Sequence, residues 1–238
     1  MDFKDYQKNT MHNHFWIRGK KDLIHHLIRS INQPATSKIL NIGAGTGDDL
    51  EAITPFGAVH VIDINQDALN LIPAKRVAEK KYDDACAMSY PDNCFDIALA
   101  FDVLEHIPHD HKAMSEVLRV IKPGGFFIYT VPAHQWLFGP HDQHLQHVRR
   151  YNKKAIKNLL HPWKKITTGY WLCSLFPLAL VTRLLQKIIH KPTKSDTPHK
   201  IVNWLMYQSI TFENFLIKKG LKLPIGLTLY GIYQKPQG

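Results

Sequence analysis

The chain has 238 residues, room for one sizeable α/β domain with appendages but marginal for two. Its 45% apolar and 21% charged residues exclude a disordered chain. The formal charge of +10 favours an anionic partner such as nucleic acid, an acidic substrate or anionic lipid, and residues 149–200 carry much of it, with Asp196 their only acid. Along the chain, Lys21–Ile31 places Leu23, Ile24, Leu27, Ile28 and Ile31 at helical spacing, and Pro34 ends that helix. Lys38–Ile42 is a short apolar run entering a glycine loop, as a buried parallel strand does. Asp48–Ile53 starts a helix, Ala58–Ile64 reads as a second strand and Asp67–Leu71 as a short helix, while Val77–Tyr82 fits either state. Phe95–Phe101 is a continuous apolar strand. Asp110–Ile121 is an amphipathic helix that Lys122-Pro123-Gly124-Gly125 closes, and Phe126–Val131 is another strand. Beyond residue 150, Lys153–Leu160 reads as helix, and Lys165–Trp171 and Leu227–Gln234 as strands. A helical insert with Trp204, Leu205, Ile210, Phe212, Phe215 and Leu216 lies between those two strands.

Alternating strands and helices with short connections predict a mainly parallel sheet with helices on both faces. Ligands bind such sheets at the C-terminal ends of the strands, so the loops after residues 42, 64, 101 and 131 should share one rim. The three cysteines form no CxxC pair and no metal spacing, which fits a reducing compartment. Residues 1–10 show no apolar leader segment. The longest apolar stretch, Trp171–Leu185, is interrupted by Ser174, Pro177, Thr182 and Arg183 and falls short of the roughly 20 residues a membrane span needs. The expected location is the cytoplasm, with peripheral contact at the inner membrane face.

The segment Asn41-Ile42-Gly43-Ala44-Gly45-Thr46-Gly47 joins a strand to a helix. Glycines there permit positive φ and close approach of a ligand, and the helix start offers free N–H groups. Asp63 closes the second strand 20 residues after Gly43, where a carboxylate can hold both ribose hydroxyls. A dinucleotide loop has a glycine at its sixth position, but here that position is Asp48, followed by Asp49. Two acids beside a pyrophosphate are unfavourable, whereas beside a sulfonium or an ammonium they are tolerable. The G-x-G-x-G form therefore favours S-adenosylmethionine over a nicotinamide dinucleotide, although a purely structural turn also has this pattern.

Further motifs follow in order: Val61-Ile62-Asp63-Ile64, Asp84-Ala85, Pro91 to Asp96, Asp102-Val103-Leu104-Glu105-His106-Ile107, and Leu118 to Gly125. With the glycine loop they resemble the class I S-adenosylmethionine-dependent methyltransferase superfamily over residues 36–133. The flanks (His14 to Lys20, Val131-Pro132-Ala133, Gly139 to Asp142, His147 to Tyr151 and Leu223 to Leu227) are similar to a bacterial branch often associated with polysaccharide or lipid-linked glycan biosynthesis. The resemblance implies an α/β, Rossmann-like three-layer sandwich with a seven-stranded, mostly parallel sheet whose last strand is antiparallel. Residues 1–35 would form an N-terminal helical cap, 36–171 the cofactor core, 172–224 the helical insert and 225–238 the last strand, all in a single domain. It also implies roles: Gly43, Ala44, Gly45 and Gly47 against the methionine part of the cofactor, Asp63 on the ribose, Ile64 on the adenine, Asp84 and Ala85 at the adenine amino group, and Phe101 and Asp102 near the sulfur. Asn41 stands where the family usually has an acid near the methionine end.

Methyl transfer from a sulfonium is an in-line displacement in which the protein aligns the partners and excludes water. It requires no metal, and although His141, His144 and His147 are spaced i, i+3, Pro140 and their loop context argue against a metal site. A hydroxyl acceptor needs a base on the rim. His106, beside Glu105, is the first candidate, and His141, Asp142 and His134 follow the fifth strand; packing or capping would equally explain His106. His147, Arg149, Arg150 and Tyr151 suggest an anion clamp for the acceptor, or else a solvated basic turn. Trp16 and Arg18 form either a lid over the site or part of the core. The stretch Tyr170–Lys191 combines apolar residues with Arg183, Lys187 and Lys191, and so either lies in a membrane interface, covers a lipid-like acceptor, or packs in the core. The expected acceptor is a hydroxyl of a small molecule, sugar or lipid-linked glycan. Nucleic acid is not expected, because no Asn-Pro-Pro-Tyr-like tetrad is present. The alternatives are an NAD-binding oxidoreductase and a non-catalytic membrane-surface module.

Overall fold

The computed structural model describes residues 13–189 and 198–237. Seven strands form one sheet: β1 (Ser37–Ile42), β2 (Gly57–Asp63), β3 (Glu79–Tyr82), β4 (Phe95–Phe101), β5 (Ile121–Pro132), β6 (Lys164–Trp171) and β7 (Thr228–Gln234), in the spatial order β3-β2-β1-β4-β5-β7-β6. The first five pair in parallel, and β7 runs antiparallel between β5 and β6. This is the Rossmann-like, mostly parallel sheet expected from the sequence. Because side chains alternate along a strand, the sheet has two buried faces. Leu40, Ile42, Ala98, Phe127 and Tyr129 enter one apolar cluster, and Ile39, Ile97, Leu99, Phe126 and Ile128 enter the other.

The helices are α1 (Phe15–Ser30), α2 (Leu50–Ile53), α3 (Gln66–Asn70), α4 (Asp110–Val120), α5 (Pro140–His144), α6 (Lys153–Leu159), α7 (Phe176–Ile189) and α8 (Lys200–Lys218). Helix α1 starts six residues before the apolar periodicity announces it. The His14 side chain accepts a hydrogen bond from the Trp16 N–H and caps the helix. Gly19 sits in the added turn because a Cβ there would collide with Ile210 Cγ2 of α8. Strand β5 begins at Ile121, earlier than Phe126: the chain end pairs with the glycine turn, Gly124 N donating to Lys235 O and Lys235 N to Gly125 O.

The insert is α7 and α8. Asn214 of α8 donates to Gly19 O and Asp22 and accepts from Trp171 Nε1, each at 2.9 Å. Glu213 is buried and accepts from the backbone of Cys173 and Ser174. These satisfied buried polar groups fix α8 against α1 and the end of β6. Only part of the insert's apolar surface is covered. Ile210 and Ile217 are buried, while Ile201, Trp204, Leu205, Phe212 and Phe215 on α8, and Leu178, Val181 and Leu185 on α7, are exposed. Among the described residues, no helix is long and apolar enough to cross a membrane. Lys191 of the basic apolar stretch lies outside the described residues.

Candidate functional site

A cavity of about 1480 Å³ runs along the C-terminal edge of the sheet. Residues from the ends of β1, β2, β4 and β5 line it, so the loops expected to share a rim do share it. Its first end is the glycine loop. Gly43 N and Ala44 N donate to Ile62 O, which ties the loop to β2, and Gly43 and Gly45 take φ of 64° and 51°. A Cβ on Gly43 would meet Val103 Cγ2 at 2.5 Å, whereas the space over Gly45 is open. Asp63 accepts from Gly45 N at 2.7 Å through Oδ2 and from Asn65 N at 2.8 Å through Oδ1. Beside it, Ile64 is an apolar side chain 69% exposed at the cavity edge. Asp84 and Ala85 line the same end, and Asp84 Oδ1 accepts from Cys86 N.

Two residues of the expected cofactor set lie behind the cavity wall. Gly47 has the positive φ of a turn glycine, and a Cβ added there would meet Leu50 and Ile72. Asn41 is buried within β1, also off the wall. Phe101 and Asp102 do line the cavity. Asp102 occupies the left-handed region (φ 57°), a strained state for a non-glycine residue that its partners hold in place. Thr130 Oγ1 donates to its Oδ1 at 3.0 Å, and Lys20 Nζ lies 2.9 Å from its Oδ2. Lys20 also pairs with Asp49 at 3.0 Å. Burial alone would lower the Lys20 pKa, but the Asp102 and Asp49 carboxylates more than offset it and hold the amine charged. Trp16 lines the cavity, with its ring under that amine.

The other end is built around Asp142, which is fully buried. It accepts from Gly139 N, from the His147 ring at 3.1 Å and from Arg150 at 2.7–2.8 Å. Burial alone would raise its pKa, but the His147 hydrogen bond and the Arg150 charge overcome that and hold it well below the usual carboxylate range. Asp142 is thus an anchor for cationic neighbours and lies behind the cavity wall. The two arginines of the expected anion clamp point apart. Arg150 turns inward to Asp142, whereas Arg149 turns to Asp110 and Pro108 O. Tyr151 is buried with its hydroxyl donated to Asp110 Oδ2. His134 sits off the wall, its ring stacked on Tyr170, and Arg18 lies over the Tyr207 ring.

His106, His141, His147 and Arg150 line this end of the cavity. The surrounding protein lowers the His106 pKa to about 4, with the neighbouring His147 adding to the effect. Burial and then Arg183 lower His141 to about 3. Both rings are neutral at pH 7. Burial pushes the Glu105 carboxyl up, and the nearby Asp102 charge raises it further. Folding also creates a grouping that linear spacing hides: Glu105, His106 and His147 bring a carboxylate oxygen and two ring nitrogens within 4.8 Å of one another, a spacing that could hold a metal ion. The sequence reading missed Lys20, Glu105 and Arg183, all of which line the cavity. The one available signal was Arg183 itself, a lone charge within an apolar stretch.

This geometry agrees with comparison to known proteins. Residues 40–129 match the family described as a methyltransferase domain. The matched stretch runs from β1 into β5, the elements that carry the glycine loop, Asp63, Asp84 and Asp102. The chain is 31% identical over 122 residues to a sterol 24-C-methyltransferase of Gibberella zeae, covering 48% of this chain and 31% of that protein. It is 35% identical over 107 residues to a ubiquinone/menaquinone biosynthesis C-methyltransferase of Burkholderia mallei, covering 41% of this chain and 44% of that protein. In both cases the match spans less than half of the relative's length. Among solved structures, phosphoethanolamine N-methyltransferase 2 of Haemonchus contortus, in complex with S-adenosyl-L-methionine, superposes with a TM-score of 0.61 at 20% identity, covering all of this chain and 60% of that one. At that identity the likeness establishes the fold.

Proposed function

We propose that the chain transfers a methyl group from S-adenosylmethionine to a hydroxyl of a small or lipid-like acceptor. The observation that carries this is the single cavity joining the glycine loop, Asp63 and Asp84 to the histidine-lined end. At about 1480 Å³ it exceeds the roughly 300–1,000 Å³ of a pocket for one drug-sized ligand, so cofactor and acceptor fit side by side. The open space over Gly45, the Asp63 carboxylate and the exposed Ile64 suit, in turn, the methionine, ribose and adenine parts of the cofactor. Asp84 and Ala85 receive the adenine edge, while Phe101 and Asp102 face the sulfur. The bound cofactor supplies an electrophilic methyl group on a sulfonium. The protein's part is alignment, exclusion of water and removal of the acceptor proton.

His106 is the base in this reading, because its ring is neutral and open to the cavity. It would take the hydroxyl proton of the acceptor, while the bound cofactor would supply the methyl group. A carbon acceptor is the second reading, favoured by relatives named as C-methyltransferases. Sugar and lipid-linked glycan acceptors remain within the hydroxyl class. The exposed apolar side chains of α7 and α8 support peripheral contact with the inner membrane face of the cytoplasm.

Calorimetry with S-adenosylmethionine and with its demethylated product, S-adenosylhomocysteine, tests the reading. We expect both to bind with one-to-one stoichiometry. Absence of binding by the folded protein would overturn it.

A further inference from the structure

We propose that the acceptor is an amphiphilic anion whose acid group, carboxylate or phosphate, docks on Arg183. This rests on the reading above, in which the acceptor shares the cavity with the cofactor. Arg183 projects from α7, and its side chain is 16% exposed. Among the described residues, its Nη1 is buried with no hydrogen-bond partner, and the nearest carboxylate oxygen, Asp142 Oδ2, is 3.7 Å away. An unmet guanidinium N–H in a buried position is costly, so a ligand that meets it gains more than a surface contact would.

Charge on this wall does not balance. Asp142 is the shared carboxylate of two guanidiniums, and Arg150 takes it at 2.7–2.8 Å. The other acids nearby are committed elsewhere. Asp49 and Asp102 pair with Lys20, Asp63 accepts from the glycine loop, and burial favours the protonated form of Glu105. Burial, with Arg150 adding to it, lowers the Arg183 pKa to about 10, so the group is still charged at pH 7. Two guanidiniums against the one carboxylate of Asp142 leave one net positive charge on this wall, with the neutral His141 beside it.

The shape of the ligand follows from what surrounds that charge. Leu175, just before α7, and Ala179 and Arg183 on it are spaced by four and form one stripe, which Leu172 extends just after β6. The wall is thus an apolar surface ending in a cation. Across the cavity, the acids of the glycine-loop end suit a cationic methyl donor. The two ends have opposite polarity, which orients an anionic acceptor with its apolar body along α7 and its acid group away from the sulfonium.

Calorimetric titration of octyl phosphate, octanoate, inorganic phosphate and 1-octanol into the protein, with and without S-adenosylhomocysteine, tests this. We expect octyl phosphate and octanoate to bind at millimolar concentration or below, inorganic phosphate to bind more weakly, and added salt to weaken only the anions. Arg183→Met should weaken octyl phosphate about tenfold or more and leave 1-octanol unchanged, while Arg183→Lys should retain part of the anion affinity. Asp142 keeps Arg150 and His147 as partners in both variants, and a thermal melt verifies that they fold. Anion binding by Arg183→Met within twofold of the unaltered protein, or no anion binding at all, would overturn the proposal. Equal affinity for inorganic and octyl phosphate would overturn its amphiphile half. Loss of S-adenosylhomocysteine binding is read separately and counts against the proposed function instead.

Discussion

Lys20 Nζ lies 2.9 Å from Asp102 Oδ2 at the end of β4 and 3.0 Å from Asp49 Oδ2 beside the glycine loop. One amine from the N-terminal helix therefore holds two acids on opposite sides of the cofactor end. All three side chains are mostly buried, and the amine is the cation that the two carboxylates share. Lys20→Met should leave two carboxylates facing each other without a cation and cost about 3–5 kcal/mol of stability. Urea unfolding measures this, and a loss under about 1 kcal/mol, typical of a surface pair, would rule out the buried-pair account.

Gly19, one residue earlier, should tolerate no side chain. A Cβ there collides with Ile210, so Gly19→Ala has to push α8 away from α1 at about 1–3 kcal/mol, although alanine favours helix. A thermal melt showing a gain in stability would contradict the close approach of the two helices.

Asp63→Ala should weaken S-adenosylhomocysteine binding by about 1.5–3 kcal/mol, the worth of hydrogen bonds to a charged group. The carboxylate meets the loop at Gly45 N and keeps lone pairs for two hydroxyls, so the variant loses both loop tension and ribose contact. Asp63→Asn should retain part of the affinity. Calorimetry that finds Ala and unaltered protein alike would remove Asp63 from the site.

What could be read from the chain and what could not divides by distance. The glycine loop, Asp63 and the strands β1, β4 and β7 lie within short, periodic stretches, where local spacing determines which face a side chain takes. Lys20 and Arg183 find their partners 82 and 41 positions away, at Asp102 and Asp142, and no local pattern encodes such pairs. Arg149 and Arg150 look equivalent in the sequence, yet the backbone sends one to Asp110 and the other to Asp142. Likewise, helix α1 hides its first turn behind Arg18, Gly19, Lys20 and Lys21, a polar run whose buried members are explained only by α8 and the cavity.

His141 makes stability depend on acid. Burial and the Arg183 charge lower its pKa to about 3, against about 6.5 for a free histidine. Between those values the unfolded chain binds a proton that the folded protein refuses, so stability is lost as pH falls from 6.5 toward 3. The melting temperature should decline over that range, and His141→Gln should flatten the decline. An identical pH profile for the variant would show that the ring carries a proton in the fold.

Asp142→Asn tests the anchor of the acceptor end. The carboxylate is fully buried and serves Arg150, His147 and Gly139 N, with Arg183 close by. Asparagine preserves the shape but removes the charge, leaving two guanidiniums in a common buried space with no anion between them. The expected cost is about 3–5 kcal/mol, because breaking a buried pair from one side strands the other. Replacing Arg150 with methionine in the same chain should recover part of that loss, since the stranded charge is then gone, and a double-mutant cycle by urea unfolding isolates the coupling. Affinity for S-adenosylhomocysteine should change little in the folded fraction, because Asp63 and Asp84 lie at the other end of the cavity. A large loss of cofactor affinity with stability intact would mean that Asp142 acts on the cofactor rather than on the wall that faces the acceptor.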